Sequence, residues 1–142
     1  MLYLRSIFCV LCAPIIYGML CVPLLGLLYG QFPELTNEYG GTSSLPLLLG
    51  TELIQLSMLS VCGYVVAWMA PRRLRHHVVI ATVVMMVIGV SVQLSFWDSV
   101  PVWHHYVFFV CILVGMLLGA LIRTRQIGGH GFGESSRPDV SD

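Results

Sequence analysis

Four stretches of this chain are long and apolar enough to cross a bilayer, and they constrain everything else about it. They run over residues 6–30, 45–70, 77–96 and 102–122, about 25, 26, 20 and 21 residues. Roughly 20 residues of helix span the hydrocarbon core. Backbone amides in lipid have no water to bond, so each stretch is expected to be an α-helix. A strand barrel would alternate in polarity, and these runs do not. Composition points the same way. Only 10% of the 142 residues are charged, against about 25% for soluble domains, and the mean hydropathy is +0.86. With a formal net charge of zero, the chain has no electrostatic footprint for nucleic acid. The expected fold is an all-α bundle of four transmembrane helices: a membrane domain over 1–125 and a mobile tail over 126–142, rich in Gly, Ser and acidic residues.

Local signals mark the span ends. Ser44 before Pro46, and Ser99 before Pro101, read as a serine cap with a proline in the first turn. Pro71 follows the second stretch and should stop it. Trp68, Trp97, Trp103 and Tyr106 fall at span ends, where amphipathic rings sit at the lipid headgroups. Pro14 and Pro23 lie inside the first stretch and each removes a backbone hydrogen bond. That stretch is longer than a secretory signal and lacks a small-residue cleavage site, so an uncleaved helix is expected.

All seven basic residues are arginines: Arg5, Arg72, Arg73, Arg75, Arg123, Arg125 and Arg137. They precede the first span, join the second to the third, and follow the fourth. The other two loops carry Glu34, Glu38 and Asp98 and no basic residue. The positive-inside rule then places both termini and the 71–76 turn in the cytoplasm.

At 100° per residue, Glu52, Gln55, Leu59 and Gly63 share a face of the second helix. Thr82, Met86, Gly89 and Gln93 share one on the third. On the fourth, His104, Cys111 and Gly115 do so, with Gly119 near the edge. Small residues let helices approach closely, so these faces should point into the bundle, with Gly63, Gly89, Gly115 and Gly119 as packing sites. Glu52, Gln55, Gln93 and His104 form a candidate polar cluster toward one end of the bundle. Glu52 lies about 10 Å into its helix, where a carboxylate needs a partner, and Gln93 or His104 is expected to supply it.

Other chemistry is harder to build. The Cys9–Cys12 pair has the spacing of a redox dithiol, but it sits at the expected cytoplasmic end, and Cys21, Cys62 and Cys111 are also within spans. All five read as packing residues. The pairs His76–His77 and His104–His105 lie at opposite ends of the bundle, too far apart to share a haem. A zinc site from Glu52, Asp98, His104 and His105 would need two neighbouring histidines that point about 100° apart. No phosphate loop, nucleophile elbow or HExxH motif is present. No cofactor, no metal and no enzymatic activity is therefore expected.

The run Gly63 to Ala67 leading into Ala70-Pro71-Arg72-Arg73 and then His76 or His77, with Pro101-x-Trp103 and Gly119-Ala120 further on, resembles a group of uncharacterised small bacterial four-helix membrane proteins. The resemblance covers about half the chain. It implies a bacterial inner membrane and no particular activity. The partners expected are the lipid bilayer and either a second copy or another membrane protein. Two functions remain open: a structural or interaction protein, and a small transporter or ion-coupled permease component using Glu52 as a proton or cation site.

The arginine distribution makes a direct prediction. Reporter fusions after residues 75 and 126 should report the cytoplasm, and a fusion at residue 43 the opposite side; a residue-75 fusion reporting the outside would overturn the assignment.

Overall fold

The structure is a computed structural model that describes residues 2–37, 41–70 and 74–130. It is all-helical among these residues: α1 (Leu2–Gly30), α2 (Leu45–Met69), α3 (Leu74–Ser95) and α4 (Val102–His130), with one turn of 3-10 helix at Pro33–Leu35. Each of the four is long and apolar enough to span a membrane. The proposed helix stop at Pro71, the Arg72–Arg73 turn, Glu38 and the tail beyond His130 lie outside the described residues.

Contacts define the topology. Cys9 meets Val66, and Thr51 meets Tyr29, so α1 and α2 run antiparallel. Ser6 meets His77, so α1 and α3 run parallel. Gln93 meets His105, so α3 and α4 run antiparallel. On α2 and α4, Glu52 meets His104 and Tyr64 meets Gln126, so these two helices are parallel neighbours. One end of the bundle therefore gathers Arg75, Arg123 and Arg125, and the other holds Glu34 and Asp98. These are called the arginine end and the acidic end below.

The closest packing is between α2 and α4, and three glycines make it possible. A methyl group on Gly63 would strike the carbonyl of Met116, and one on Gly119 would strike the carbonyl of Ser60. On Gly115 it would come within 2.6 Å of the Leu59 Cβ. The 115/119 GxxxG pair is thus spent inside the chain, backbone against backbone. At Gly89 the would-be neighbours are the ends of Phe108 and Ile112 side chains, so that contact is tight but softer.

The core is continuous from Cys9, Ala13, Cys62 and Val66 near the arginine end to Phe108 and Ile112 near the middle. Outward faces are lined with exposed Leu, Val, Ile and Phe, while Thr51, Glu52, Gln55, Thr82, Gln93, His104 and His105 are buried. This inside-out distribution is the one lipid selects. All five cysteines are buried and unpaired. The Cys9 thiol donates to the Val66 carbonyl at 3.3 Å, Cys12 to Cys9 at 3.0 Å and Cys62 to Ala13 at 3.5 Å.

Several boundaries depart from the sequence reading. Helix α4 continues to His130, so residues 126–130, assigned above to the tail, are helical; the Tyr64 hydroxyl donates to Gln126 Oε1 at 2.9 Å and ties this extension to α2. Ser44 occupies the N-cap position of α2, but its side chain makes no capping bond; its own N–H instead donates to Thr42 Oγ1. Pro101 precedes the first residue of α4 rather than standing within its first turn, and its carbonyl accepts from His104 N–H. On α3 the buried methionine is Met85, with Met86 half-buried, because the helix faces α1 as well as α4.

The described residues of the connection between α1 and α2, 31–37 and 41–44, fold onto the bundle. Thr42 Oγ1 donates to the Leu35 carbonyl at 2.6 Å, Gly41 N–H to Asn37 Oδ1 at 2.7 Å, and Asn37 Nδ2 to the Ser99 carbonyl at 3.2 Å. Gly41 lies directly against the Ser99 backbone, with no space for a side chain. The two acidic-end connections are thereby fastened to each other.

The α2–α4 contact predicts a sharp contrast. Gly119→Val should lower stability in detergent by about 2 kcal/mol or more, since its methyls meet backbone that cannot rotate away. Gly26→Ala, with nothing within 4 Å of the added carbon, should be neutral or slightly stabilising. Denaturant titration followed by circular dichroism measures both.

Candidate functional site

The polar residues of the bundle are held by the same close approach. Because α2 and α4 are parallel and nearly in contact, a side chain about two turns inside α2 meets one in the first turn of α4. Glu52 Oε1 lies 2.7 Å from His104 Nδ1, and both side chains are 7% exposed. The distance is that of an ion pair, but the atoms do not align as a hydrogen bond, and Glu52 Oε2 receives no well-aligned donor. Cys111, two turns further along α4, lies beside the same carboxylate. Taking a carboxylate to the middle of a helix in lipid costs about 2.5–3.5 kcal/mol on insertion scales. A single off-axis contact offsets only part of that cost.

Gln55, one turn beyond Glu52, is 4% exposed, and its Oε1 accepts from no donor. Gln93 does not join Glu52. Its Oε1 lies 2.5 Å from His105 Nδ1, while His105 Nε2 faces the Trp97 carbonyl at 3.3 Å. The His105 ring also stacks on the Trp97 indole, with centroids 4.5 Å apart and planes 8° from parallel. Both ring nitrogens thus face oxygen acceptors. A neutral imidazole carries one N–H, so it satisfies both only if the Gln93 amide turns its NH2 to the ring.

The four candidate residues therefore split into two clasps. Glu52 with His104 joins α2 to α4, and Gln93 with His105 joins α3 to α4. His105, the most buried of the polar side chains here apart from Thr42, was named from sequence only in the histidine doublet and the zinc alternative, not in the polar cluster. The signal was the His104–His105 doublet itself: residues 100° apart on a helix suit two neighbouring helices rather than one ligand. Asp98 is exposed on the α3–α4 turn and belongs to neither clasp. Among the described residues no group of three metal-ligating side chains converges. Ser57 and Ser91 are exposed and bond back to Leu53 and Val87 in their own helices. At the other end, His77 Nε2 lies 3.1 Å from Ser6 Oγ, and His76 is exposed.

Beside the clasps is a cavity of about 430 Å3. Gln55, Gln93 and His104 line it, together with Tyr17, Tyr29 and Phe108. Glu52 does not line it; His104 stands between the carboxylate and the space. No family model, no curated protein and no solved structure matches the chain.

Removing one member of a buried charged pair costs more than removing both, because the survivor stays buried without a partner. His104→Leu alone should destabilise the bundle by about 3 kcal/mol. The double variant Glu52→Leu/His104→Leu should recover most of that loss. A double-mutant unfolding cycle in detergent reads the difference.

Proposed function

We propose that this chain is a small, non-enzymatic multi-pass membrane protein in which Glu52 and His104 form a proton-binding pair serving an ion-coupled transport or permease function. The observation that carries the reading is the incomplete pairing of Glu52. A residue kept only as a clasp should be sealed and fully hydrogen-bonded, since an unmade bond in lipid is expensive. Glu52 is sealed, yet one oxygen meets His104 off the bonding axis and its remaining neighbour is the Cys111 thiol, a weak donor. His104 touches both the carboxylate and the cavity, so a proton has a route from the cavity through the imidazole to the acid. The ionisable groups around the carboxylate are His104 and Cys111 from α4 and Tyr17 from α1. The bacterial inner membrane is the setting we propose, with both termini cytoplasmic, so that the cavity opens in the outer half of the bilayer.

A second reading has its own support. The Glu52–His104 contact joins the same two helices that Gly63, Gly115 and Gly119 hold together. It then serves to fix their register in a structural or interaction protein that packs on a second copy or another membrane protein.

Proton flux separates the two. Protein reconstituted in liposomes with a trapped pH dye, under an imposed potential, should conduct protons, and Glu52→Gln should lower the rate at least tenfold. Glu52→Asp should retain a measurable fraction. Absence of flux in the wild-type protein, or equal flux in Glu52→Gln, leaves the structural reading.

A further inference from the structure

The cavity has a defined place, a way in and an unmet chemical demand. It occupies the acidic-end half of the bundle, between the later halves of α1 and α3 and the earlier halves of α2 and α4. Gly41 and Val100, from the two connections fastened together at that end, close it above. Val22 of α1 and Ile88 and Val92 of α3 both line it and stand exposed on the lipid-facing surface. The opening is therefore lateral, between α1 and α3, toward the hydrocarbon. The volume falls within the range of small-molecule sites.

The walls are mostly apolar, with Tyr17, Phe96 and Phe108 contributing rings. At the floor stands Gln55, whose Oε1 is buried and accepts from nothing. A bare amide oxygen in such surroundings calls for a hydrogen-bond donor. Beside it, the Thr51 hydroxyl has two acceptors within reach, the Leu47 carbonyl at 3.0 Å and the Tyr29 hydroxyl oxygen at 3.2 Å; when its one proton goes to Tyr29, the Tyr29 proton is left for another acceptor. The floor therefore offers one acceptor and one donor within an aromatic, apolar chamber. It does not offer a bare negative charge, because His104 screens Glu52 from the space. That arrangement disfavours an organic cation and suits a neutral hydroxyl, which both gives and takes a hydrogen bond.

We infer that the chamber binds a membrane-dissolved molecule with a hydroxylated aromatic ring, a lipophilic phenol. Its hydroxyl donates to Gln55 Oε1 and accepts from Tyr29. Its ring packs among Tyr17, Phe96 and Phe108, and its tail leaves between α1 and α3. The inference rests on the proposed transport reading in taking this space as the chamber of that same site.

The test is equilibrium dialysis of 4-hexylphenol and hexylbenzene between phosphatidylcholine nanodiscs with and without the full-length protein, so that lipid partitioning cancels. The phenol should show saturable excess binding at least tenfold tighter than hexylbenzene, the same body without the hydroxyl. Gln55→Leu should bring the two to parity. Val22→Trp, at the exposed lip where folding is not at stake, should abolish both. Equal binding of phenol and benzene by the wild-type protein, no saturable excess, or tighter binding of hexylammonium would overturn the inference. Binding is read at one pH without a gradient, so it is separable from proton coupling. Flux without phenol binding removes the proposed ligand alone; phenol binding without flux leaves it standing and removes the coupled reading.

Discussion

The near-contact of α2 with α4 is the constraint from which the rest of the bundle follows. Gly63, Gly115 and Gly119 bring two backbones so close that no side chain fits between them. In lipid there is little hydrophobic gain from pressing apolar helices together, so such close packing is a principal source of association. It fixes the register of two parallel helices, and that register decides which polar side chains meet. Glu52 finds His104 because the glycine contacts further along set the offset. A slip by one residue would turn the carboxylate by 100° toward lipid or toward another helix.

Helix α4 is the hub of the polar interior. It presents His104 to α2 and His105 to α3, and each histidine takes a different partner. The aromatic residues flanking this doublet reinforce the division, Trp97 stacking on His105 and Trp103 meeting the edge of His104. The result is a three-helix polar layer near the acidic end, while the arginine end is joined by cysteine thiols bonded to backbone carbonyls and by small apolar contacts. The two ends differ in chemistry because the layer needs donors and acceptors on three helices at one depth. The 52–55, 93 and 104–105 positions supply them.

The acidic-end connections complete the enclosure. Residues 31–44 could have been slack, as connections of that length often are. Instead Thr42 is buried at 1% exposure, Asn37 reaches the Ser99 carbonyl, and Gly41 rests on the Ser99 backbone. The space beneath is thereby roofed, and at its side stand Val22 of α1 and Ile88 and Val92 of α3, which both line it and are exposed.

What the amino-acid sequence determined by itself is the set of helices, because lipid leaves a long apolar segment no other way to satisfy its backbone. Helical periodicity also placed Gly63, Gly115, Glu52 and His104 on inward-facing stripes, since 100° per residue is a property of one helix alone. Which stripe meets which was decided only by the tertiary structure. Gln93 turned to His105 rather than to Glu52, and Met85 was buried more deeply than Met86, because each helix packs on more than one neighbour and a single-helix angle carries no information about their directions. The extension of α4 to His130, the packing of residues 31–37 and 41–44 on the bundle and the cavity among the four helices were likewise not legible. They arise from contacts between residues distant in the chain, Tyr64 with Gln126 and Asn37 with Ser99, and no local pattern encodes a distance in space.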